Sequence, residues 1–258
     1  MKRLIQYSAL MALLASCSTT VDFKTPGNRF HGPEVTGDTL NRRVQLGYGK
    51  AHKYETASLY GDTIFGSGAT KNTDGKIQAS EGFTLDAQLG VIEKLDAYYR
   101  ATHDSAAVFG LKYQPLGTHD QEGHKIAIMA GLGQGSEDKD AHKVKSDSTE
   151  RLYKARLDID AWEVELIYGY RYNKNVLVYG NLNYANYDTD TELKSDSFDD
   201  ENINVTAKTQ GFLLGVDLIN DKRKAGVILE AGVVKAEWNG AYDDTNIPLG
   251  VNFYYLWE

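Results

Sequence analysis

The chain has 258 residues, enough to bury the core of one all-β domain. Its 28 Lys and Arg against 36 Asp and Glu give a charge of −8, and without a basic stripe nucleic acid is not an expected partner. Beyond the first sixteen residues there is no apolar run of about 18 or more, so any membrane crossing must use strands.

Lys2 and Arg3 form a short positive region and Leu4 to Leu14 an apolar stretch too short to span as a helix, the pattern of a secretory signal. It ends in Leu14-Ala15-Ser16-Cys17, which resembles the lipobox of bacterial lipoproteins: an aliphatic residue, two small residues, then cysteine. The resemblance implies cleavage before Cys17 and a lipid on its thiol. Ser18 follows, where the inner-membrane retention signal of enteric bacteria has aspartate, and this favours the outer membrane. Cys17 is the single cysteine, so there is no disulfide framework, no thiolate metal cluster and no cysteine nucleophile. Residues 17–41 lack sustained periodicity and are rich in Pro and Gly; they read as an extended tether, with Phe23 and Phe30 free to dock.

From residue 42 to 258 period two dominates, as in Phe83, Leu85, Ala87, Leu89 and Val91 against Thr84, Asp86, Gln88 and Gly90. Ten runs follow in order: 42–57, 80–92, 94–103, 106–115, 124–136, 149–172, 175–188, 206–219, 223–238 and 248–257. The 149–172 run changes phase near Asp160-Ala161, which predicts a bulge or an extra turn there and keeps eight strands open as well as ten. Short connections at 92–93, 117–123, 173–174 and 220–223 alternate with longer polar ones at 58–79, 137–148, 189–205 and 239–247. The fold expected is all-β, an antiparallel up-and-down barrel of about ten strands with short turns at one end and long loops at the other. An even strand count would place both termini, and the lipid, on the periplasmic side.

Two kinds of barrel alternate in this way. A lipocalin-like carrier turns its apolar face inward around a small ligand of unknown identity, whereas a membrane barrel turns it outward to lipid. The polar phase holds Asp86, Asp96, Arg100, Lys112, Glu163, Glu165, Arg171, Asp217 and Glu230, charges able to pair in a narrow lumen. Tyr is the commonest aromatic, at 17 against 8 Phe and 3 Trp. Tyr48, Tyr99, Tyr113, Trp162, Tyr170, Tyr172, Tyr184, Tyr187 and Trp257 fall near run ends, as interfacial girdles would. The final run, with Gly250, Phe253, Tyr255 and Trp257, resembles the signal read by the outer-membrane assembly machinery, although Glu258 follows the last aromatic. The partners this implies are outer-membrane lipid and that machinery. Leu85, Leu166 and Phe253 decide between the two barrels by the side they face.

Little suggests chemistry. The acidic stretch from Asp188 to Glu201 lacks the glycine of an EF-hand and reads as a solvated loop. His103-Asp104-Ser105 are neighbours on the chain, which does not make a triad. Asp104, His142, Asp243 and Asp244 have no spacing that selects them as an enzyme rim, and His119 with His124 lacks a third metal ligand. No cofactor or metal is expected. The sequence therefore reads as a non-enzymatic outer-membrane barrel lipoprotein with a structural, surface-interaction or narrow-channel role.

Overall fold

The computed structural model describes residues 17–62, 68–145, 148–195, 198–220, 222, 224–240 and 242–257. The leader, residues 1–16, lies outside these. Thirteen strands occur among the described residues: β1 (Cys17–Pro26), β2 (Arg42–Asp62), β3 (Gly68–Asn72), β4 (Lys76–Ile92), β5 (Leu95–Thr102), β6 (Ala107–Leu116), β7 (Gly123–Lys145), β8 (Ser148–Asn173), β9 (Val176–Ser195), β10 (Phe198–Ile219), β11 (Ala225–Trp238), β12 (Tyr242–Asn246) and β13 (Leu249–Trp257). Ten of them close a ring in the order β2-β4-β5-β6-β7-β8-β9-β10-β11-β13, each antiparallel to its neighbours. The ladder from Trp257↔Arg42 to Gly250↔Gly49 joins the last wall strand to the first, so the wall has no open edge there. No described helix is long and apolar enough to cross a membrane.

Along the lower part of the wall the apolar phase faces out. Leu85, Leu166 and Phe253 are 46%, 48% and 59% exposed, while Asp86, Glu165 and Asn252 beside them are buried inside. On β8 the outward row runs Trp162, Val164, Leu166, Tyr168, Tyr170, Tyr172. Ten residue steps rise about 33 Å along a strand, or about 25 Å along the axis at a tilt near 40°.

Above Ala161 the same alternation continues with its faces exchanged. The outward positions of β8 become Asp160, Asp158, Arg156 and Lys154, and the inward ones become Ala161, Ile159, Leu157, Ala155 and Tyr153, all buried. The neighbours switch too: Leu132 to Gln134 on β7, Tyr184 to Asp188 on β9, Phe212 to Gln210 on β10 and Val233 to Lys235 on β11. No bulge causes this. The β8–β9 ladder passes through Ala161↔Tyr187, Asp160↔Asp188 and Ile159↔Thr189 without a register shift, as does the β7–β8 ladder. The expected bulge or turn at Asp160-Ala161 is thereby corrected: the strand is continuous, and it is the chemistry of its two faces that changes at that level.

The connections expected to be long loops are largely hairpins. β7 and β8 stay paired up to Lys145↔Ser148, and β9 and β10 up to Ser195↔Phe198. Together with β3 and β12, these arms make a cap with its own apolar core, in which Phe23 stacks on Tyr54 at 4.8 Å, with Leu157, Tyr187, Leu193 and Trp238 around them. Tyr187, expected in an outer girdle, is fully buried in this core because it lies above the level of the inversion. The acidic stretch from Asp188 belongs to the outer face of one arm, where Asp188 accepts hydrogen bonds from Asn186 (2.9 Å) and Thr206 (2.8 Å).

The largest departure concerns residues 17–41. Expected as a tether outside the barrel, this segment runs down the inside. β1 pairs with the upper half of β2, which is buried on both faces, and residues 27–36 continue through the lumen, buried throughout. It leaves at the short-turn end, where Leu40 N–H donates to Gly90 O (2.8 Å) and Gly90 N–H to Asn41 O (2.8 Å).

Candidate functional site: the plugged lumen

After Pro26 the plug cannot extend its ladder at every residue, so its backbone needs side-chain partners from the wall. Glu230, on β11, receives two successive amides, Arg29 N–H at 2.8 Å and Phe30 N–H at 3.1 Å, together with Asn28 Nδ2 (3.3 Å) and Tyr179 Oη (3.1 Å). Lower down, Gln114 accepts from Val35 N–H (3.0 Å), and Asp96 accepts from both Thr36 N–H (2.8 Å) and Thr36 Oγ1 (2.9 Å).

The charges of plug and wall match in storeys. The upper storey of the wall is acidic, with Glu163, Glu165 and Asp86 around one cation, Arg100. The plug supplies Arg29, whose Nη1 lies 2.8 Å from Glu163, and His31, whose Nε2 is 2.9 Å from Asp86 and Nδ1 3.1 Å from Glu165. Arg100 pairs with Glu163 and, at 3.6 Å, with Glu165; Tyr98 and Asn181 donate to the same two carboxylates at 2.9 and 2.7 Å. The lower storey is basic, and there the plug supplies the acid. Glu34 pairs with Arg171 and, at 3.0 Å, with Lys125, while Lys112 donates to the Glu34 carbonyl oxygen. Glu163, Glu165, Asp86 and Glu34 each face an opposite charge, whereas Glu230 is held by backbone and side-chain hydrogen bonds alone.

Shape follows the same logic. A Cβ on Gly47 would stand 2.6 Å from the Phe30 ring, and one on Gly250 2.5 Å from it. Glycine at these inward positions lets the plug lie against the wall. The space left beside Asn28 and Phe30, bordered by Thr84 and Thr102, is about 10 Å³, room for one water molecule at most.

The eight lumen candidates Asp86, Asp96, Arg100, Lys112, Glu163, Glu165, Arg171 and Glu230 are therefore all buried within the barrel, and all but Arg100 touch the plug directly. Asp217 is buried there too, accepting from Tyr254 Oη at 2.7 Å. Of the assembly-signal residues, Phe253, Tyr255 and Trp257 face outward and Gly250 faces the plug. Cys17 begins β1 at the hairpin end, paired with Gly61. The expectations at the rim disperse: Asp104 pairs with Lys24 at 3.0 Å, Asp243 with Lys235 at 3.1 Å, and Asp244 faces His52 at 3.9 Å. The side chain of His142 lies outside the described residues. Glu34, His119 and Asp120 bring one ligand atom each within 4.8 Å of one another, but Arg171 and Lys125 already occupy Glu34.

Neither a protein-family model nor a curated protein matches the chain. Among solved structures it resembles Ail, the attachment invasion locus protein of Yersinia pestis, at 11% identity and a TM-score of 0.33, over 84% of this chain and 99% of Ail. The β domain of the Bordetella autotransporter BrkA gives 8% and 0.38, over 85% and 99%. The copper transporter OprC gives 12% and 0.34, over 87% of this chain and 43% of OprC. Likeness at this level leaves the assignment to the chain's own geometry.

The sequence hid the plug itself. Its one signal is the run Asn28-Arg29-Phe30-His31-Gly32-Pro33-Glu34, cations followed by an acid, in the order of the wall's two storeys. Those storeys exist only once the stagger of the wall strands brings Asp86, Glu163 and Glu165 to one height.

Proposed function

We propose that this protein is an outer-membrane β-barrel lipoprotein, lipidated on Cys17, whose own N-terminal segment closes its lumen and whose role is structural or surface-binding, without catalysis. The observation that carries the membrane reading is the exchange of faces along continuous strands. A belt about 25 Å tall exposes Leu, Val, Phe and Tyr, as a lipid-facing wall does, and the same strands then turn Asp, Lys and Gln outward, as a wall in water does. Trp162 with Tyr184 (5.2 Å) at the upper edge and Trp257 with Tyr255 (4.6 Å) near the lower fit the aromatic girdles of both interfaces. The short-turn end, with the chain terminus, is periplasmic, and the cap stands outside the cell.

Charged side chains and the plug fill the lumen, so an apolar ligand has no room there and the carrier reading loses its support. A narrow channel would require the plug to move. Nucleic acid has no complementary surface on a chain of charge −8, and the partners supported are outer-membrane lipid and the assembly machinery.

Cell fractionation followed by carbonate and urea washing tests the membrane reading. Retention with outer membranes and heat-modifiable migration are expected, for the wild type and for Cys17→Ala alike. Release of Cys17→Ala as a folded, detergent-independent protein would favour a soluble barrel held by its lipid alone. In planar bilayers the wild type is expected to stay closed, and steady large conductance would refute a fixed plug.

A further inference from the structure

The wall of ten strands crosses the barrel ten times, and this count alone returns both ends of the chain to the short-turn side. The plug adds an eleventh crossing. We propose that the protein is threaded through its own barrel, so that the mature N terminus, with Cys17, stands at the outer cell surface while the C terminus stays on the periplasmic side. The inference rests on the membrane reading above.

Three sets of contacts fix the direction of the thread. At the bottom, Leu40 and Asn41 exchange backbone hydrogen bonds with Gly90, one short turn from the level where Trp257 pairs with Arg42. Midway, Arg29 and His31 are locked into the acidic storey. At the top, β1 runs antiparallel to β2 from Pro26↔Ala51 up to Cys17↔Gly61, and Lys139 of the β7 arm donates to the Thr20 carbonyl oxygen at 2.8 Å. The outward apolar row of β2 ends at Tyr48, so the pairing partner of Cys17 lies more than ten residues above it. At about 3.3 Å per residue and a tilt near 40°, Cys17 stands about 30 Å beyond the belt.

That position reverses the expectation that the lipid sits in the periplasmic leaflet. With β1 paired, the backbone of Cys17 stands beyond both leaflets of the membrane the barrel would span. A lumen packed with paired ions has no passage for acyl chains, so the wall must close around the segment during assembly rather than receive it afterwards.

The test compares two epitope insertions in the full chain, one between Ser18 and Thr19 and one in the short turn between Gln121 and Glu122, probed by antibody on intact and on permeabilised cells. Threading predicts that the two epitopes lie on opposite sides, with the Ser18–Thr19 tag reached on intact cells and the turn tag only after permeabilisation. Both epitopes on the same side would overturn it. Opposite sides with the turn tag outermost would keep the threading and overturn the assigned orientation, a separate failure. Metabolic labelling with palmitate, compared between the wild type and Cys17→Ala, tests the lipid on its own. Should an insertion block folding, Thr20→Cys with Ser58→Cys places two thiols at directly paired positions. A disulfide in the folded protein is expected, and a folded barrel that does not form it would refute the threading.

Discussion

Replacing Glu230 with alanine should release the middle of the plug while leaving the wall intact. The carboxylate accepts two consecutive plug amides at 2.8 and 3.1 Å, and the residue is 3% exposed. A hydrogen bond to a charged group contributes about 1.5–3 kcal/mol, so losing two costs about 3–6 kcal/mol. Glu230 also shares the storey with other carboxylates, and removing one of them relieves some repulsion, which favours the lower figure. At 1.4 kcal/mol per factor of ten, amide exchange at Arg29 and Phe30 should speed up by between about a hundredfold and about ten-thousandfold. Glu230→Gln, which keeps one acceptor oxygen, should fall between alanine and the wild type. The assay is site-resolved hydrogen exchange on the detergent-solubilised barrel, with the β8–β9 ladder as internal reference. Unchanged exchange at Arg29 and Phe30 would refute the account of Glu230 as the plug's anchor. An equal loss of protection in the β8–β9 ladder would refute the separation of plug from wall.

Three further expectations follow from the geometry. Gly47→Leu would push into the Phe30 ring, at an overpacking cost of about 1–3 kcal/mol, and should raise the frequency of brief openings in planar bilayers while leaving strand content by circular dichroism unchanged. Leu166→Arg, in the middle of the outward belt, should destabilise the barrel by about 2–4 kcal/mol in reversible refolding into vesicles, whereas Arg156→Leu, above the belt, should stay within about 0.5 kcal/mol; equal effects would contradict a membrane level at Ala161. In the cap, burial pushes the His52 imidazole below its ordinary value of 6.5, opposed only in part by Asp244. As pH falls through about 6.5 the unfolded chain binds a proton that the folded cap refuses, so stability should fall there; His52→Phe should flatten that segment of the stability–pH curve measured by urea unfolding.

Period two by itself pointed to an all-β barrel of about ten strands, with eight still open, and to one charged and one apolar face, because strand side chains alternate whatever surrounds them; only the closed barrel showed that the charged face lines the lumen. The alternation also recorded the phase change at Asp160-Ala161, but a phase change in a sequence looks the same whether the backbone bulges or the solvent changes. Only the unbroken register between Ile159 and Ala161 separated the two, and it showed that the strand runs straight through while the chemistry of its two faces exchanges. The side chains of Leu157 and Leu166 are alike and an odd number of residues apart, so alternation alone sends them to opposite faces, and only the closed barrel shows that Leu157 is the one packed inside. The plug lay further from view. Beyond the ladder of β1, residues 27–36 carry no sustained period because most of their partners are side chains from seven wall strands, β4, β5, β6, β7, β8, β10 and β11. Glu163, Glu230 and Asp86 are distant in sequence and meet Arg29, Phe30 and His31 only after closure and stagger bring them around one axis. The sequence therefore specified what the wall is made of, and the tertiary structure decided what the wall encloses, because the storeys that hold residues 27–36 exist only after the barrel closes.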